Sequence, residues 1–270
     1  MIADLAALVR HRQLVQDFAW RDLRARYKGS VLGFAWNFLN PLLQLAVYYL
    51  LFGVLLPVPR LNAAGETPTY GYAVFLFTGL LPWTYFASSL QAGASSVLGN
   101  AGLVKKVHMP LQVLPAAAVL SSLANFGLSL VVLAIVLVVA GVPPHATLVY
   151  VPLILAVQTL LNLGFAYGLA ALSVFFRDVL HILAIVLTLW YFLTPVIFPL
   201  ASVAANHARE AMLLHLNPMT PIVVAYQRTV LDGLSPEWEW LAYATAFALV
   251  VFVLGFAFYR RTSASFEEEL

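Results

Sequence analysis

Histidine and carboxylate are the residue types here that could hold a metal or move a proton. Their spacing supports neither role. His11, His108, His145, His181, His207 and His215 are scattered, and only His207 and His215 share a loop. No pair has the short spacing of a metal site. Cysteine is absent, which excludes disulfides, iron–sulfur clusters and zinc–thiolate sites. No GxxxxGK[ST] loop occurs, so the chain does not hydrolyse ATP in the usual way. Glu237 and Glu239 alternate with Trp238 and Trp240, which reads as an anchor at a membrane surface rather than an acid–base pair. Asp178, His181 and Asp232 remain as candidates for an enzyme acting on lipid carriers.

The elements that must carry these residues follow from composition. Of 270 residues, 62% are hydrophobic and only 10% are charged. Soluble domains carry about 25% charged residues. Such a chain can cover a surface facing lipid but not one facing water. The net charge of +2 gives no reason to invoke nucleic acid. The fold class expected is an all-α integral membrane protein with six transmembrane helices. About 20 apolar residues make one span. The stretches Ala35–Leu56, Tyr72–Leu90, Leu111–Val139, Leu148–Phe175, His181–Phe198 and Leu241–Tyr259 qualify, and none contains Asp, Glu, Lys or Arg. The whole chain, 1–270, reads as one domain: residues 1–34 a cytoplasmic amphipathic helix, 35–259 a six-span bundle and 260–270 a cytoplasmic tail.

Lysine and arginine set the orientation. Eleven of them flank the spans on one side, in the first thirty residues, at Lys105 and Lys106, at Arg177 and at Arg260 and Arg261. Three, Arg60, Arg209 and Arg228, lie on the other. Both termini are therefore expected in the cytoplasm. That puts Asp178 and His181 on the opposite face from Asp232. The N-terminal segment repeats Leu5, Leu8, Val9, Val15, Phe18 and Ala19 at helical spacing. It is a helix on the membrane surface, an interface with a cytosolic partner, or both. Between the fifth and sixth spans, Pro199–Trp240 holds two largely apolar stretches, Ala211–Leu216 and Pro221–Leu231. Two short re-entrant helices dipping into the outer leaflet fit it better than an extended loop.

The spans carry no fixed charge, whereas ion-coupled transporters usually keep one. Transport energy would then come from a partner. The spans do carry aromatics, including Tyr48, Tyr49, Tyr85, Trp190 and Tyr191. Two readings stand for these five. They are interface-belt residues, or they line a path on which sugar rings stack.

Four stretches, taken in order, resemble the ABC-2 permeases of the polysaccharide and O-antigen export branch. The first is Arg21-Asp22-Leu23-Arg24-Ala25-Arg26-Tyr27-Lys28-Gly29-Ser30-Val31-Leu32-Gly33, followed by Trp36 and Pro41. The second is Leu103-Val104-Lys105-Lys106-Val107-His108-Met109-Pro110. The third is Phe176-Arg177-Asp178-Val179 with His181, leading to Thr194-Pro195-Val196-Ile197. The fourth is Leu216-Asn217-Pro218-Met219-Thr220-Pro221. The resemblance implies a homodimeric inner-membrane permease with a separate ATP-binding subunit, which would hold ATP and magnesium while this chain binds no cofactor. It implies an ATPase interface at Arg21, Asp22, Arg24, Lys105, Lys106, His108, Arg177 and Asp178. The substrate implied is a glycan on a polyprenyl diphosphate. Arg24, Arg26 and Lys28 would draw in its diphosphate, or serve only as topology signals. The rival readings are an ABC-2 exporter of a drug or small lipid, a membrane enzyme, and a non-transporting scaffold.

Overall fold

Backbone groups in lipid must be satisfied within their own segment, which favours helices. The computed structural model describes residues 12–25, 35–55, 71–106, 110–206 and 208–270, and all regular structure among them is helical. The main helices are α1 (Arg12–Ala25), α2 (Trp36–Tyr49, continued by a π-helical turn to Leu55), α3 (Tyr72–Ser95), α4 (Val113–Val139) and α5 (Val151–Phe175). There follow α6 (Val179–Phe192), α7 (Leu200–Asn206), α8 (Ala208–His215), α9 (Met219–Gln227) and α10 (Trp238–Thr262).

Four of these are long and apolar enough to cross a membrane: Tyr72–Ser95, Val113–Val139, Ala146–Phe175 and Trp238–Ser265. The other two expected spans, Phe38–Phe52 and Val179–Phe192, are apolar but shorter. α6 stops before the expected Phe198 because Pro195 follows, and the residue before a proline is disfavoured in helical conformation. The segment 199–240 forms three short helices instead of two, and α9 is buried along its length.

α3 is the hub. It is buried along 83% of its most apolar stretch, against 22% for α4 and α10. α4, α5, α6 and α9 surround it. α5 and α10 form the closest pair, and glycine permits it. A Cβ at Gly255 would sit 2.1 Å from the carbonyl oxygen of Gly164, and one at Gly164 would sit 2.6 Å from the Phe252 nitrogen. The small-residue spacing Gly164…Gly168 thus serves packing within one chain.

Apolar side chains gather in two clusters. The larger surrounds Phe77, Tyr85, Phe86 and Tyr226. The smaller joins Phe18, Val97, Val104, Tyr167, Phe256, Tyr259 and Phe266 at the end of the bundle where α1 lies. There the Tyr167 and Tyr259 hydroxyls donate to the carbonyls of Gln112 and Leu111, just ahead of α4. The expected tail is not loose. Phe266 is fully buried, with ring centroids 5.3 Å from Tyr259 and 6.1 Å from Phe175.

Candidate functional site: an exposed charged face and an aromatic opposite end

α1 presents one apolar and one charged side. Phe18 and Ala19 are buried in the smaller cluster and Leu23 is buried beyond it, while Arg24 stays exposed. Arg21 lies 4.3 Å over the Phe18 ring, pairs with Asp22 at 3.2 Å and donates to Asn100 Oδ1 at 2.8 Å. Asn100 in turn donates to the Ser96 carbonyl at 2.8 Å, at the end of α3. Arg21 of the first stretch thus reaches Asn100, three residues ahead of the second. Val104 is buried in the same cluster as Phe18 and Ala19, and Lys105 and Lys106 after it are exposed. Arg177 and Asp178 are also exposed, one turn beyond Val174 of the same cluster. Seven of the eight expected ATPase contacts thus share one end of the bundle. His108, Arg26 and Lys28 lie outside the described residues.

At the opposite end the third and fourth stretches meet through one amide. Asn217 Oδ1 accepts from Trp190 Nε1 at 2.8 Å and from the Met219 backbone nitrogen at 3.0 Å. Its Nδ2 donates to Thr194 Oγ1 at 2.9 Å and to the Leu193 carbonyl at 3.2 Å. Gln227, at the end of α9, donates to the Pro195 carbonyl at 3.3 Å. α6 and α9 are thereby joined at both ends of the link between them.

The five expected path aromatics divide. The Tyr85 hydroxyl bonds Thr159 at 3.0 Å, and its ring stacks on Phe126 at 5.0 Å. Trp190 packs edge-on against Phe86 and Phe165. Both are held by the protein itself. Tyr191 lies beside Tyr48 and 5.6 Å from Trp83. Beside them Phe52 meets Tyr72 at 4.9 Å, and the Tyr72 hydroxyl donates to the Ile197 carbonyl. Tyr49 stands 62% exposed. An aromatic rim thus links the ends of α2 and α6 to the start of α3.

Farther along this end, Arg228 pairs with Glu237 at 3.0 Å. His215 stacks on Trp240 with centroids 4.1 Å apart. Burial lowers the His215 pKa, and the nearby Glu237 charge partly opposes this. Asp232 closes the turn after α9, whereas Asp178 and His181 open α6 at the charged end. These three cannot form one catalytic site.

Several polar residues were not singled out by their chemistry in the sequence. Gln158 and Asn162 are fully buried on α5; Gln158 donates to the Pro82 carbonyl at 2.6 Å and Asn162 to Ser89 at 3.2 Å. Asn40, Gln44, Ser88, Ser122, Asn125 and Ser129 line a cavity among α2, α3 and α4. The available signal was helical spacing: Asn40 with Gln44, Gln158 with Asn162, and Ser122 with Asn125 and Ser129 each share a face.

Comparison with known proteins gives the family of the chain. The family model described as "ABC-2 type transporter" matches residues 13–231. The O-antigen export system permease protein RfbA of Myxococcus xanthus is 37% identical over 270 residues, covering 100% of both chains. RfbA of Klebsiella pneumoniae is 28% identical over 251 residues, covering 93% of this chain and 92% of its own. The polysialic acid transport protein KpsM of Escherichia coli is 24% identical over 247 residues, covering 91% and 92%. The family match extends from α1 through α9, the elements that form the charged face and the Asn217 junction, and this chain belongs to the ABC-2 type transporter family.

Proposed function

We propose that this chain is the membrane-spanning permease of an exporter that carries a lipid-linked polysaccharide, an O-antigen-like glycan on polyprenyl diphosphate, across the bacterial inner membrane. The observation that carries the reading is the end-to-end match to an O-antigen export permease at 37% identity. The permease is not an enzyme. A separate ATPase binds ATP and magnesium and docks on the charged end formed by α1, Lys105–Lys106 and Arg177–Asp178. That end and both termini lie in the cytoplasm, in keeping with the basic asymmetry of the flanks. α2 and α6 complete a set of six spans, and α7 to α9 form a re-entrant cap at the outer surface. A second copy completes the conduit.

The physics of the exchange is simple. ATP closes the partner dimer and displaces the exposed turns, and the helices carry this movement as rigid rods. Exposed basic residues such as Arg24 favour approach of the anionic diphosphate. No fixed charge inside the spans holds the cargo, so it slides on weak contacts.

The test is surface glycan in a cell lacking its own copy of this permease. The wild-type chain with its ATPase should restore it. The double variant Lys105→Glu, Lys106→Glu should insert normally yet uncouple ATP hydrolysis from export. Normal export by that variant removes the turn from the interface. Transport of small amphiphilic drugs in place of glycan would install the efflux reading instead.

A further inference from the structure

α2, α3 and α4 line an open-sided cavity of about 210 Å³, with Asn40 exposed at its edge, whose polar lining no stretch of the family resemblance explains. Asn40 and Gln44 face it from α2, Ser88 from α3, and Ser122, Asn125 and Ser129 from α4. The last three sit around the midpoint of α4, the most apolar of the long helices. Among the described residues, no Lys, Arg, Asp or Glu lines the space.

Interhelical fastening does not account for these side chains. Ser88 donates to the Tyr85 carbonyl at 3.2 Å, Ser122 to Ala118 at 3.1 Å and Ser129 to Asn125 at 3.0 Å. Each hydroxyl spends its proton on its own helix and leaves its oxygen free to accept. Asn125 Oδ1 is buried and has no hydrogen-bond partner. The amide groups of Asn40, Gln44 and Asn125 add donors. A wall of this kind is costly if left dry at membrane depth. A charged ligand would find no counter-charge there. An apolar one would leave Asn125 Oδ1 unsatisfied. What fits is an uncharged group that both donates and accepts, a cluster of hydroxyls.

We infer that this cavity binds the neutral hydroxyls of a sugar unit, as a resting point within each chain for the glycan being exported. The inference rests on the polysaccharide reading above. The protein contains no cysteine, so single cysteines report without background. Ser122→Cys and Ser129→Cys should react with N-ethylmaleimide in membranes of cells that make no glycan. With the glycan present and the partner ATPase made unable to hydrolyse ATP, so that loaded chains stall, both should react at least about five-fold more slowly, the effect of a site mostly occupied. Val138→Cys, on a 77% exposed position of α4, should be indifferent to glycan. Equal rates with and without glycan, or no reaction in either membrane, overturn the inference. Asn125→Leu replaces the amide with two methyl groups of nearly the same shape and should lower export about five-fold, the worth of one hydrogen bond, while Asn125→Gln retains it. Normal export by Asn125→Leu also overturns it. Failure of the export reading is seen separately: the parent chain would then not restore surface glycan at all.

Discussion

Asn217 makes four hydrogen bonds with one amide, a set of donors and acceptor that only an Asn or Gln carboxamide supplies, and Asn holds it on the shorter stem. Asn217→Ala leaves Trp190 Nε1 and Thr194 Oγ1 without this partner. A lost partner of this kind costs about 1–3 kcal/mol per buried group, so a clear fall in the melting temperature of the detergent-purified protein is expected. An unchanged melting temperature would show that the junction does not hold α6 to α9. His215 supplies a second test. Its pKa is lowered on folding, so the folded state prefers the neutral ring. The sign follows: the stabilisation is full above the ordinary histidine pKa and falls away as the pH drops below it. His215→Gln should flatten the acid side of the unfolding profile between the ordinary and the lowered value. A profile identical to wild type would remove His215 from that role. Asn217 stands in the sequence within the stretch Leu216-Asn217-Pro218-Met219-Thr220-Pro221, but its partners are not visible there, because Trp190 and Thr194 lie more than twenty residues away. Tyr85 and Trp190 were read from type alone, and type does not say whether a ring faces a path or a neighbouring helix.

Among the elements, the close crossing of α5 and α10 sets the tightest constraint. Gly255→Leu forces a side chain into the Gly164 carbonyl, with no flexible group to give way. Overpacking costs about 1–3 kcal/mol in a core and more against backbone, so the variant should fail to accumulate as folded protein in membranes. Gly127→Leu, where nothing lies within 4 Å of the added Cβ, should accumulate normally. Equal yields would mean that the two helices are free to separate. The long helices were legible because lipid demands one property over many residues. α4, α5 and α10 match the expected Leu111–Val139, Leu148–Phe175 and Leu241–Tyr259 to within a few positions. Shorter elements were less so. Thr194-Pro195 carried the stop signal for α6, yet the apolar run through Val196, Ile197 and Phe198 masked it. The spacing Gly164…Gly168 announced a close contact but not with what, since Gly255 stands alone in its own span.

The described residues form long rods around α3 together with shorter helices, of which α6 stands out. α6 has 14 residues, about 21 Å of helix at 1.5 Å per residue, against a hydrocarbon core of about 30 Å. Its outward face is apolar, with Ile182, Ile185, Val186 and Leu189 exposed, while charged Arg177 and Asp178 stand at one end and the Asn217 turn at the other. As one of the six proposed spans, a rod so short would be mismatched with a full-thickness bilayer, and thinning of the membrane is one way to relieve this. The hydrocarbon beside α6 would then be pinched. Reconstituted with its ATPase, the permease should work faster in vesicles of short-chain myristoleoyl lipids than in those of long-chain erucoyl lipids. Equal rates in both would show that α6 is covered by protein rather than lipid. If the pinch exists, the permease carries a local thin spot with it, and the polar cargo crosses less oil there than the rest of the membrane would impose.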